Sequence, residues 1–299
     1  MWIYLGLISA LFLGCYDVLK KASLNRNAVI PVLFLSTVAG TLPWLVLAPL
    51  SRWFPAMLEG TAFFVPAGDG RAHLLIFIKA VIVATSWLGV YFGMKHLPIS
   101  IAAPIRASAP FWTLLGAMLL FVERPSGPQW IGLAMIIVAY FFLSLAGRAE
   151  GIVFHNNRWV ALMFAGTLVG AASALYDKFL LKLYPAALVQ TWFAVYLVVV
   201  LTPILLLGWY PTRRSTTPFQ WRWTIPLIGL CLAVADFLYF LALREPEAMI
   251  SILSAIRRSN AIISFAWGAI LFREVNRNRK ALCLAAILAG ILILVLFRR

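Results

Sequence analysis

Acidic residues are scarce in this 299-residue chain: 10 Asp and Glu stand against 25 Lys and Arg, and charged residues of both signs make up only 12%. A soluble domain is nearer a quarter charged, so a water-exposed globule is excluded. Cysteine is scarce too. Cys15, Cys231 and Cys283 all lie in apolar stretches without metal-ligand spacing, and they read as small packing residues with no disulfide implied. The histidines, His73, His96 and His155, fall between the apolar stretches and read as surface residues. No His-rich metal spacing, Gly-x-Ser-x-Gly elbow or paired-aspartate motif is present. The expectation is therefore no enzyme, no metal and no cofactor.

What the chain has instead is hydrophobic length: 63% of it is apolar. Ten stretches of about 20 apolar residues, each ~30 Å long as a helix, recur along it. Their approximate limits are 2–20, 29–50, 74–94, 99–121, 128–147, 159–181, 186–208, 224–243, 248–271 and 280–297. Lipid leaves no backbone group solvated, and these runs are too long and uniform for barrel strands, so an all-α membrane protein follows. The first stretch begins at Trp2 with no basic region before it and no small-residue cleavage site after it, as expected of a retained span. The formal charge of +15 does not point to nucleic acid, because most of the cations sit in links and helix ends. The odd-numbered links carry 13 Lys and Arg against 8 in the even-numbered links and the tail, which by charge counting favours both termini outside.

The chain is also a duplication. Ile99-Ser-Ile-Ala-Ala-Pro-Ile-Arg106-Ala-Ser108 returns as Ile250-Ser-Ile-Leu-Ser-Ala-Ile-Arg257-Arg-Ser259, and both runs close on Leu-Phe-x-Glu, at Glu123 and Glu274. Without a gap, 99–148 and 250–299 agree at 15 of 50 positions. Upstream, Leu5-Gly6 and Tyr16-Asp17 correspond to Ala165-Gly166 and Tyr176-Asp177. The halves are 1–152 and 153–299, with five segments each. An odd number of crossings makes the second half enter from the opposite side, giving two five-helix inverted-topology repeats, an arrangement used by alternating-access transporters. Gly89-x-x-x-Gly93 and Gly166-x-x-x-Gly170 are expected at close helix contacts, although a role in transport is also open. The link 51–73, with two prolines and three glycines, is too weakly patterned to be read as an amphipathic helix.

A charge at the centre of a span costs at least ~2.5–3.5 kcal/mol, so each such residue needs a reason. Arg106 lies about two turns into segment 4, and Arg257 and Arg258 lie at the same depth in segment 9. A guanidinium offers a planar fork that matches carboxylate or phosphate. Arg106 and Arg257 therefore either grip an anionic cargo or neutralise Asp17, Asp177 or Asp236, and the two roles can alternate. Ser108 and Ser259 either donate to the same anion or cap a helical carbonyl. Asp17 and Asp177, near helix ends and followed by lysines, are either interfacial carboxylates paired along their own helix or gating groups. Asp236, with Thr85 at its repeat position, is a candidate proton carrier or a structural partner of arginine. Trp87, Tyr91 and Tyr239 are candidate cavity walls. Lys79 is expected to snorkel to the interface. Glu123 and Glu274 are expected to bond to the next helix N-terminus or to Arg124 and Arg273.

Two five-helix halves, each with a fourth helix ending in Leu-Phe-x-Glu and leading into an apolar fifth, resemble the EamA-like repeats of the drug/metabolite transporter superfamily. The resemblance implies ten helices, a central cavity, cytoplasmic termini and a small-molecule cargo that is not specified by family. The arginines at positions 106, 257 and 258 depart from the apolar cavity that the resemblance implies, and point to a small anion bearing phosphate or carboxylate. A flippase for an anionic lipid or lipid-linked carrier would use the same arginines, and remains open. The expected partners are this cargo and membrane lipid, with no nucleic acid. The expected location is a cell membrane, a bacterial inner membrane by the same resemblance. Monomer and homodimer are both open.

Overall fold

The computed structural model describes residues 1–24, 26–96, 105–106, 108–145, 157–260 and 277–297. The described residues form helices and no strand. In chain order they are α1 (Trp2–Leu24), α2 (Val29–Trp53), the short α3 (Pro55–Leu58), α4 (Gly70–His96), α5 (Ala109–Leu120), α6 (Gly127–Leu145), α7 (Arg158–Leu183), α8 (Ala186–Pro203), α9 (Thr224–Arg244), α10 (Ile250–Arg257) and α11 (Arg277–Leu296). A π-turn, Ile204–Trp209, continues α8 past Pro203, whose missing N–H and ring disturb the regular ladder.

Six of these helical stretches are long and apolar enough to cross a bilayer: Trp2–Leu24, Val29–Trp53, Gly70–Val90, Arg158–Leu183, Ala186–Trp209 and Thr224–Arg244. Shorter apolar helices stand within four further expected segments, Ala109–Leu120, Gly127–Leu145, Ile250–Arg257 and Arg277–Leu296. The link 51–73 differs from expectation at both ends. It contains α3, it turns through Gly60 at φ 82°, and α4 starts at Gly70, four residues earlier than the hydropathy edge. The join between the sequence halves lies outside the described residues.

The chain divides into two compact units, and each draws on both sequence halves. Met1–Ala84 and Asp177–Glu245 form one; Thr85–Tyr176 and Pro246–Arg299 form the other. In the first, α9 packs against α1, α2 and α8. Ser9 Oγ donates to Ala235 O at 2.7 Å, which satisfies a hydroxyl where lipid or core would leave it stranded. Gly40 and Gly229 let α2 and α9 touch backbone to backbone: a Cβ on Gly229 would stand 1.8 Å from Ser36 O. Val32, Ile225 and Ile228 make an apolar cluster covered by Tyr16, Leu19 and Phe219.

In the second unit, α6 packs against α11 and α5 against α10. Gly132 and Gly290 mark the first crossing, where a Cβ on either would come within 2.9 Å of the other's carbonyl oxygen. The two glycine motifs expected at close contacts meet each other. A Cβ on Gly89 would lie 3.1 Å from Gly166 Cα, one on Gly93 would lie 2.9 Å from Met163 Cβ, and Ser86 Oγ donates to Gly166 O at 2.8 Å. Helices without a hydrophobic drive to associate in lipid gain contact this way, through short backbone distances and buried hydroxyl bonds.

Candidate functional site

In the second unit the helical runs change at the paired arginines. The sequence predicted continuous helices over 99–121 and 248–271, and both are interrupted. Arg106 belongs to a helical turn at 105–106, Ser108 is a turn residue, and α5 starts afresh at Ala109. Pro110 explains the first break, because it has no N–H for the Arg106 carbonyl and its ring obstructs that carbonyl. In the second copy Arg257 ends α10, Arg258 and Ser259 turn, and helix resumes at Asn260. No proline is present there; the end tightens instead, with Arg258 N–H donating to Ala255 O at 3.1 Å and Ser259 N–H to Ile256 O at 2.9 Å. The breaks thus fall on repeat-related residues by two different local means.

Of the two serines, Ser108 has a hydroxyl bond to a helical carbonyl. Ser108 Oγ donates to Ile105 O at 2.6 Å and accepts the indole N–H of Trp112 at 3.1 Å. Ser259 is buried and held by its backbone bond to Ile256. Arg106, Arg257, Arg258 and Trp87 are half-buried in the same unit. The side chain of Tyr91 lies outside the described residues.

Glu123 shows what the acid of the first Leu-Phe-x-Glu does. After α5, Val122 takes φ 53°, a left-handed position usually filled by glycine, and Glu123 N–H bonds to Ala117 O at 3.3 Å. The turn delivers the Glu123 carboxylate to the start of α10. There it accepts Ile250 N–H at 2.7 Å, Ser251 N–H at 3.1 Å and the Ser251 hydroxyl at 2.5 Å. Charged hydrogen bonds of this kind contribute about 1.5–3 kcal/mol each, and the carboxylate complements the positive end of the helix. The sequence anticipated a helix N-terminus as its partner but expected the next helix; the helix it caps lies 127 residues on. Glu274 lies outside the described residues.

In the first unit stands a second polar centre that the sequence reading missed. Lys79 does not snorkel. Its side chain is buried and pairs with Asp177, a bond that runs from α7 to α4. Lys79 is the tenth residue of α4, and its side chain is enclosed by protein rather than turned toward a helix end. The Lys79 ammonium also lies 4.2 Å from the ring centre of Phe193 and 5.0 Å from that of Phe240. Desolvated cation–π contacts are worth up to about 2 kcal/mol each, against about 3–5 kcal/mol for stripping a partner from a buried ion pair. On α8, one turn before Phe193, the side-chain oxygen of Gln190 is buried without a hydrogen-bond partner, as is the Thr191 hydroxyl. Of the other candidates, Tyr239 is buried against Phe240, with ring centres 5.7 Å apart, while Asp17 and Asp236 are half-buried in the same unit.

Helix breaks at duplicated arginines and buried charges between apolar helices suit a protein that handles polar cargo within a membrane. Residues 1–145 match the model of the EamA-like transporter family. Residues 1–145 thus belong to the EamA-like transporter family, within the drug/metabolite transporter superfamily. A solved crystal structure, described only as that of a protein, is similar over 100% of this chain and 97% of its own, with a TM-score of 0.74 and 15% identity. That likeness concerns the fold. No curated protein gives a significant match to the sequence.

The sequence found one polar centre more readily than the other. Arginine inside an apolar run is conspicuous, and duplication made it more so. The hydropathy edge places Lys79 near a helix end, where a lysine is expected to snorkel. Its partner Asp177 stands 98 residues away, so no local pattern marked the pair.

Proposed function

We propose that this membrane transporter moves a small anionic metabolite, bearing phosphate or carboxylate, by alternating access between two inverted five-helix repeats. It is a secondary transporter with ten crossings, acting in a cell membrane of bacterial inner-membrane type. The observation that carries the reading is the pair of helix breaks at Arg106–Ser108, just before α5, and at Arg257–Ser259, at the end of α10, two helices that pack together. A break frees backbone dipoles at membrane depth, and an adjacent guanidinium adds a full charge with two parallel donors.

The repeat is supported by contacts within each unit. The α1–α9 packing has its repeat counterpart in the glycine contacts of α7 with α4, while α6–α11 and α5–α10 map onto themselves. Contacts among links and helix ends also join ends of like parity, as ten crossings require. Asn27 bonds to Gln220, His96 stacks on Trp159 at 3.7 Å between ring centres, and Glu123 reaches Ile250.

The reading is tested with purified protein and a panel that includes inorganic phosphate, succinate and phosphorylated metabolites. A ligand of the folded state raises its melting temperature. Arg106→Gln and Arg257→Gln should each weaken binding of the best ligand about ten- to a hundredfold, the worth of one charged hydrogen bond. Unchanged affinity in both folded variants would remove the arginines from the site, and loss of folded protein in both would make them structural.

A further inference from the structure

The link between α1 and α2 and the link from the π-turn to α9 meet on one surface of the first unit. Asn27 ties them with two bonds: its Nδ2 donates to Gln220 O at 2.7 Å, and its Oδ1 accepts Gln220 N–H at 2.8 Å. The hydroxyls of Ser23 and Thr224 lie 2.5 Å apart, and Arg222 Nη1 donates to Ala22 O at 2.5 Å. These ties gather Lys20, Arg26, Arg213, Arg214 and Arg222 onto one joined pair of segments. Neither segment supplies an acid: none occurs between Asp17 and Glu59, nor between Asp177 and Asp236.

The same surface carries the aromatic residues of a bilayer boundary. Trp223 is 79% exposed, and Trp221 and Tyr210 are each 52% exposed. The indoles of Trp221 and Trp223 pack edge to face at 5.9 Å. Arg213 lies 3.8 Å over the Tyr210 ring and donates to Tyr210 O at 2.7 Å, which fixes the guanidinium beside the aromatic group. Tryptophan and tyrosine settle at headgroup depth, and they carry the neighbouring arginines to the level of lipid phosphates. Arginine meets a phosphate with two parallel donors, and clusters of this size beside membrane helices attract anionic lipid.

We propose that this surface is a binding site for the headgroups of anionic phospholipids, held by Arg213, Arg214, Arg222 and Arg26 and set in depth by Tyr210, Trp221 and Trp223. It is independent of the arginines at the helix breaks and of the identity of the cargo. The test is titration of the full-length protein with phosphatidylglycerol and with phosphatidylcholine of the same chains, with bound lipid counted by native mass spectrometry. The protein should bind phosphatidylglycerol more tightly, and salt should reduce the difference.

Arg213→Gln with Arg214→Gln should weaken phosphatidylglycerol about twenty-fivefold, fivefold per cation, and leave phosphatidylcholine unchanged. Arg52→Gln with Arg244→Gln removes the same net charge from helix ends away from this surface and should leave the preference intact. The proposal is overturned by a wild-type preference in the first variant, by an equal loss in the second, or by inorganic phosphate displacing the lipid. Both changes in the first variant lie in an outer link, so folding is expected to survive them.

Discussion

Lys79 and Asp177 allow a quantitative test of how the first unit holds a buried charge. Asp177→Asn removes the ion pair but leaves the ammonium against the faces of Phe193 and Phe240. Lys79→Met removes the ion pair and both ring contacts together. Breaking the buried pair costs about 3–5 kcal/mol in either case. The ring contacts add up to about 4 kcal/mol for the lysine change, and a methionine sulfur against the same rings restores about 0.3–1.5 kcal/mol per contact. Lys79→Met should therefore be the more damaging variant by about 1–3 kcal/mol. The double variant has no buried charge left to compensate, so it should lie closer to wild type than either single variant. The assay is equilibrium unfolding in mixed micelles of mild and denaturing detergent, with the four proteins forming a double-mutant cycle. Equal costs for the two single variants would refute the role given to the rings; additive costs would refute the pair itself.

Three further outcomes follow from the packing. Gly229→Ala should cost at least the ~1–3 kcal/mol typical of overpacking and lower folded yield, because its Cβ would meet Ser36 O at 1.8 Å; Gly208→Ala, with nothing within 4 Å, should be tolerated under the same fluorescence size-exclusion assay. Glu123→Gln should destabilise the protein by about 1.5–3 kcal/mol in thermal unfolding, because the neutral amide turns charge-assisted bonds to α10 into ordinary ones. If the two sequence copies are equivalent, Glu274→Gln should cost a similar amount, and a silent Glu274 variant would deny that equivalence.

Much of the protein's character was legible along the chain. Apolar length and the scarcity of charge pointed to a helical membrane protein, since lipid admits no unsatisfied backbone and the rule acts on each stretch separately. The duplication, with Arg106 against Arg257 and Glu123 against Glu274, could be read by alignment of the chain with itself. Tertiary structure alone decided the partners. Asp177 met Lys79, 98 residues away, because α7 crosses α4 there, and Glu123 capped α10 because a left-handed Val122 aimed it. It also decided that Gly89 would face Gly166 and Gly40 would face Gly229. Hydropathy reports the solvent that each residue prefers, and inside a bilayer every apolar face prefers the same one. Which helix lies beside which is then settled by close backbone contact and by the cost of a buried charge without a partner, and both depend on residues distant in sequence.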